Sequence, residues 1–190
     1  MHCFPLPRLN RAGIAAALAL VLVSPETVMA QANTAYGENA LISNTANDNS
    51  AFGYGALQFN VGGFRNTAVG QGALYSNVSG YQNTATGSLA LVLNTNGAEN
   101  TANGVGALYQ NTEGTANTAI GSHALEFNQT GTENTAAGFQ ALYNNNGYSN
   151  TAYGSASLFS MSNGWGNTAS GYRAGTAKFR STSCRPMKNS

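Results

Sequence analysis

A five-residue motif, Asn-Thr-Ala-x-Gly, recurs nine times at a spacing of 16 or 17 residues and fills almost the whole chain. The copies begin at Asn33, Asn49 (degraded to Asn-Ser-Ala), Asn66, Asn83, Asn100, Asn117, Asn134, Asn150 and Asn167. Self-similarity on this scale is the signature of a stacked array, in which one unit cannot bury its apolar face alone and must lie on its neighbours.

The full unit reads Asn-Thr-Ala-x-Gly-x-x-Ala-Leu-x-x-Asn-x-x-Gly-x-x, as in Asn83 to Glu99. Its fixed positions are small, amide or glycine, and one leucine returns per unit, including Leu74, Leu91, Leu108 and Leu125. That leucine is the large side chain the architecture must bury. Glycines such as Gly87, Gly104 and Gly121 close the motif, where a turn calls for positive φ or close backbone approach. Amides such as Asn83, Asn100 and Asn117 complete the structural framework.

Glycine and asparagine occupy four framework sites per unit, so no uninterrupted segment approaches the roughly 12–15 residues that a marginal helix needs. The sequence therefore predicts an all-β chain, a parallel β-solenoid of about nine coils, with two short extended stretches per unit between Gly and Asn corners. Within the motif, side chains alternate. Thr84 and Thr86 then share the outer face, while Ala85 points inward with Asn83 and Gly87.

The interior that remains holds about one Leu and two Ala per coil. Burying a leucine contributes about 1.5–3 kcal/mol, whereas ordering each residue costs about 1–2 kcal/mol of backbone entropy. Two further sources of stability are open. Stacked asparagines, Asn66 to Asn134, can satisfy one another and the backbone. Alternatively, several identical coils can pack around one axis.

These residues resemble the head repeats of trimeric autotransporter adhesins, the YadA-like heads, whose Ser-Val-Ala-Ile-Gly type motifs match Asn66-Thr67-Ala68-Val69-Gly70 and Asn117-Thr118-Ala119-Ile120-Gly121. The family unit is shorter, at about 14 residues. The resemblance implies a left-handed parallel β-roll, a homotrimer and an adhesive role. The coiled-coil stalk and membrane barrel through which that family attaches have no counterpart in this sequence, so no self-anchoring membrane segment is expected.

Arg8 and Arg11 precede an apolar run from Ala12 to Val23, followed by Val28-Met29-Ala30. This is the pattern of a secretory signal with cleavage after Ala30, and the run is too short for the roughly 20 residues of a membrane span. The expected organisation is a signal peptide over 1–30, a repeat domain over 31–172 and an irregular basic tail over 173–190, read as a disordered or truncated end, with a secreted or cell-surface location. Charged residues make up 8% of the chain, against about a quarter in ordinary soluble domains. Six acids face Arg65 alone between residues 33 and 172, and five bases with no acid follow. Electrostatic capture of nucleic acid is not expected of such a chain. Cys184 is the single cysteine beyond the signal and could pair only between chains.

No catalytic, cofactor-binding or metal site is expected. His123 fills a variable slot that elsewhere holds Leu89, Gly106 or Gln140, so it reads as a surface substitution. The candidate binding surface is aromatic: Tyr75, Tyr109, Tyr143 and Phe159 each follow the framework leucine, so stacking would place them in a broken stripe. Such rings are amphipathic and low in entropy cost. Tyr81, Tyr148 and Trp165 near the glycine corner could serve likewise. The leading expectation is an exported adhesin head binding host, abiotic or sibling surfaces, of protein or carbohydrate, by multivalent contacts. Alternatives are a structural spacer about 43 Å long, at about 4.8 Å per coil, or an ice-binding solenoid using the threonine file.

Overall fold

The computed structural model describes residues 33–175; the proposed signal peptide, the tail beyond Gly175 and Cys184 lie outside the described residues. Nine three-residue strands mark the coils: β1 (Thr34–Tyr36), β2 (Ser50–Phe52), β3 (Thr67–Val69), β4 (Thr84–Thr86), β5 (Thr101–Asn103), β6 (Thr118–Ile120), β7 (Thr135–Ala137), β8 (Thr151–Tyr153) and β9 (Thr168–Ser170). They form one parallel sheet in sequence order, a β-solenoid of about eight turns. Register is exact to the motif: Thr84 pairs with Thr101 and Ala85 with Ala102.

The expected alternation holds. Ala85 is fully buried between exposed Thr84 and Thr86, and Asn83 is buried beside them. Coils two to seven each contribute two alanines and a leucine to one continuous core, as with Ala85, Ala90 and Leu91, all fully buried, and in coil eight the buried Ser157 replaces the second alanine. The chain itself encloses these leucines. Burial against another copy is therefore not required to cover the core.

The expectation of two extended stretches per coil is corrected to one. After the strand and its glycine, the chain turns through left-handed residues at the seventh and ninth positions, with the framework leucines at φ between 49° and 53°. The reason is geometric. Ala90 and Leu91 are adjacent and both fully buried, whereas neighbours on an extended strand point to opposite faces. A left-handed residue redirects the chain so that both reach the interior. It costs roughly 1–2 kcal/mol, which the leucine's burial, worth about 1.5–3 kcal/mol, offsets.

Glycine at the fifth position meets both expected demands. Gly87 has φ 132°, and a Cβ there would stand 2.6 Å from the carbonyl oxygen of Gly104 in the next coil. Backbone bonds run between coils in both directions: Thr84 donates to Asn100 O at 2.8 Å, Leu91 to Ala107 O at 3.0 Å and Gly87 to Val69 O at 2.8 Å.

Two asparagine ladders complete the interior. In the first, Asn100 donates its side-chain amide to Asn83 Oδ1 at 3.1 Å and to Gly114 O at 2.8 Å. In the second, Asn111 donates to Asn94 Oδ1 at 2.8 Å and to the same Gly114 O at 3.0 Å. From coil two to coil seven both ladders are buried, and one glycine carbonyl per coil joins them. The second ladder ends at Asn145, because Met161 stands where coil eight would carry the next asparagine; its sulfur accepts from Asn167 Nδ2 at 3.3 Å. Coil geometry continues past residue 172: Leu158 donates to Ala174 O at 2.8 Å, and Gly175 holds the leucine position at φ 69°.

Candidate surface-binding site

In a solenoid, side chains at one position of successive coils form a column parallel to the axis, about 4.8 Å apart. Five columns carry aromatic residues, one of them only Phe59 and Phe127. The column after the framework leucine holds the expected stripe, and all four of its rings, Tyr75, Tyr109, Tyr143 and Phe159, are half-buried. Tyr143 and Phe159 stack at 4.8 Å with planes 5° apart. Tyr75 instead packs edge-on against Phe59 at 5.0 Å, and Phe127 does the same to Tyr143. Tyr109 makes no ring contact among the described residues, since Val92 and Glu126 occupy the adjoining places in its column. The stripe is thus real but broken into two aromatic ends, its rings partly spent on one another.

Rings that stand further into solvent belong to the other columns. The third strand position carries Tyr36, Phe52 and Tyr153; the site after the motif glycine carries Tyr54, Phe139 and Tyr172, the last 76% exposed. The corner column carries Phe64 stacked on Tyr81 at 5.1 Å, and Tyr148 parallel to Trp165 at 6.2 Å, with both of the latter exposed. A parallel bridge pairs the Tyr148 and Trp165 backbones, which holds the two rings in step. The corner residues were visible in the sequence. The column through Tyr54, Phe139 and Tyr172 was not singled out, although its place directly after an invariant turn glycine marks it as outward-facing.

No family model, curated protein or solved structure matches the chain. Its reading rests on its own geometry.

The ionisable groups are sparse. Arg65 lies 3.8 Å from Asp48 with both side chains exposed, a pair of small energetic weight. His123 Nδ1 lies 2.7 Å from Glu126 Oε2; the two atoms are buried and close, but their alignment is not that of a hydrogen bond. Burial, and after it the charge of the Glu126 carboxylate and hydrogen bonding to it, raise the Tyr143 pKa above its usual 10.0. Folding has therefore gathered a histidine, a carboxylate and a tyrosine that the sequence places on separate variable slots. Glu126 is the neighbour of Tyr143 in the aromatic column, and His123 approaches it from the left-handed column three residues earlier. Among the described residues no group of three or more His, Cys, Asp or Glu is placed to hold a metal ion.

Proposed function

We propose that this chain is an exported, non-catalytic binding module of the adhesin-head kind, which engages a surface through many shallow contacts. The observation that carries the reading is the repetition of exposed rings, among them Tyr54, Phe139, Tyr148, Trp165 and Tyr172, on a core that the chain closes for itself. Aromatic side chains supply large contact area at little conformational cost. Mounted on successive coils, they act at high effective concentration, so weak contacts sum.

Assembly as a homotrimer, which the resemblance implies, is part of this proposal for a different reason from core burial. The leucines need no partner; the exposed apolar columns are what association would cover. Light scattering coupled to size exclusion tests it through the molar mass of the peak.

A spacer without ligand is the competing reading, favoured by the middle coils, whose corner column holds only Ala98, Thr115 and Thr132 between its aromatic ends. Adhesion of the purified chain to collagen-, mucin- and glycan-coated surfaces and to glass, read by quartz microbalance, separates the two. Retention that falls at least tenfold when Tyr148 and Trp165 are changed to Thr supports the binding module; a chain that stays on none of these surfaces supports the spacer.

A further inference from the structure

The column after the motif glycine has an arrangement at its C-terminal end that recurs nowhere else along it. Reading up the coils it runs Glu38, Tyr54, Gln71, Ser88, Val105, Ser122, Phe139, Ser155, Tyr172. Only the last three residues place a small side chain between two aromatic ones. The consequence is a hollow of about 390 Å³ whose floor is Ser155 and Ala156, with Phe139 on the coil below and Tyr172 on the coil above.

Its other walls come from the solenoid's turn chemistry. Phe159 flanks it, held in place by its stacking on Tyr143. Gln140 and Arg173 line it from the coils below and above, at the left-handed position that follows the aromatic column. Side chains at that position lie over the preceding coil: the ring of His123 sits against Gly106 and the end of Leu89 against Gly72. In coil eight the position is Ala156, which leaves the floor open.

We propose that this hollow binds one hexopyranose ring of a glycan. The proposal rests on the adhesin reading and names the surface it would recognise. Phe139 and Tyr172 are two coils apart, about 9–10 Å along the axis. A ring in van der Waals contact on both faces needs about 3.5–4 Å on each side, so one saccharide fits between them and two in parallel do not. The axial C–H groups of a pyranose are weakly positive and suit the negative faces of aromatic rings. Hydroxyl groups at the sugar's edge need donors and acceptors, and the Gln140 amide and the Ser155 hydroxyl supply both. Aromatic walls beside convergent polar groups fit a ligand that carries both an apolar face and hydroxyl edges.

The column itself provides variants that keep the fold. Tyrosine occurs naturally in it at Tyr54 and Tyr172, and serine at Ser88 and Ser122. Ser155→Tyr therefore fills the hollow, and Tyr172→Ser removes one wall, each with a residue the column already accepts. Saturation-transfer NMR on the purified chain, with the methyl glycosides of glucose, galactose, N-acetylglucosamine and glucuronic acid as probes, reads ring C–H contact directly. The expected result is saturation of the ring protons of at least one glycoside, abolished by Ser155→Tyr and weakened about tenfold in affinity by Tyr172→Ser, with unchanged circular dichroism. Absence of saturation with all four, or saturation that survives Ser155→Tyr, overturns the proposal. If the chain adheres to surfaces yet takes up no sugar, the hollow is wrong and the adhesin reading stands. If it neither adheres nor takes up sugar, both fall.

Discussion

The side-chain oxygen of Asn83 accepts two hydrogen bonds from Asn100, the backbone N–H at 3.0 Å and the side-chain amide at 3.1 Å. Each ladder asparagine thus replaces a peptide group in the coil-to-coil bonding. Because every member from Asn49 to Asn150 is buried and bonded on both sides, the ladder behaves as a polar network whose partial loss is worse than its absence.

Asn100→Ala tests this. The change removes donors to Asn83 Oδ1 and Gly114 O and the acceptor of Asn117 N–H and Nδ2. Each orphaned buried group costs about 1–3 kcal/mol, so a loss of at least about 3 kcal/mol is expected in urea unfolding. Asn103→Ala, on the exposed strand face two residues before Val105, should stay within about 0.5 kcal/mol. Equal effects at the two sites would show that the ladder contributes no special stability.

The second glycine of the unit is required by space and not by φ. A Cβ on Gly97 would meet Asn94 Oδ1 and stand 2.5 Å from both Asn111 Nδ2 and Gly114 O, so it intrudes on the second ladder. A Cβ on Gly62 would find only Val78 O, at 3.9 Å. Gly97→Ala is expected to cost about 3 kcal/mol or more, at the upper end of overpacking, and Gly62→Ala to be near neutral. Melting temperatures of the two variants check this, and a neutral Gly97→Ala would refute the close approach.

The left-handed leucines give an inverted expectation for truncation. Leu108 is fully buried at φ 53°, so Leu108→Ala should lose about 2–5 kcal/mol while keeping the backbone strain. Leu108→Gly loses the same packing but relieves that strain, worth roughly 1–2 kcal/mol. Glycine should therefore be no worse than alanine here, the reverse of its usual ranking in helices and strands. Gly175, at the same position of the last coil with φ 69°, is a natural instance. Chemical unfolding of both variants decides, and a glycine variant less stable by a full kcal/mol would count against the strain.

What the sequence made legible follows from which interactions repeat. The period of the motif translates directly into strand register, and the Thr84-Ala85-Thr86 alternation into faces, because each depends on one residue and its translated copy. Asparagines and glycines at fixed places announced a ladder and tight corners for the same reason. The leucine conformation was not legible by propensity, since left-handed φ is ordinarily the province of Gly, Asn and Asp. Yet a signal was present: two adjacent apolar residues, Ala90 and Leu91, cannot both point inward from an extended strand. The site was harder to read. Ring position in sequence fixed the columns, but not that Tyr75 would turn its edge to Phe59, or that Ser155 would leave a hollow between Phe139 and Tyr172. Those depend on which large and small residues meet across coils, at places where the repeat does not constrain identity.

Tyr143 supplies a pH dependence with a defined sign. Burial first, then the charge of Glu126 and the hydrogen bond to it, raise its pKa above 10.0, so the fold favours the neutral phenol. The unfolded chain gives up that proton at lower pH than the folded one. The stability this contributes is complete below the unfolded value of 10.0 and is lost as pH rises through the folded value. Melting temperature should accordingly fall more steeply between pH 9 and pH 11 in the native chain than in Tyr143→Phe, which keeps the stacking on Phe159 but has no proton to lose. Glu126→Gln should give an intermediate slope, because it removes the charge and leaves the burial. Other tyrosines titrate in the same interval, so the difference between native and variant slopes is the quantity to read. Identical slopes in native and Tyr143→Phe would mean that Glu126 does not hold the phenol, and with it that the half-buried end of the aromatic column is not fixed in the way its geometry implies.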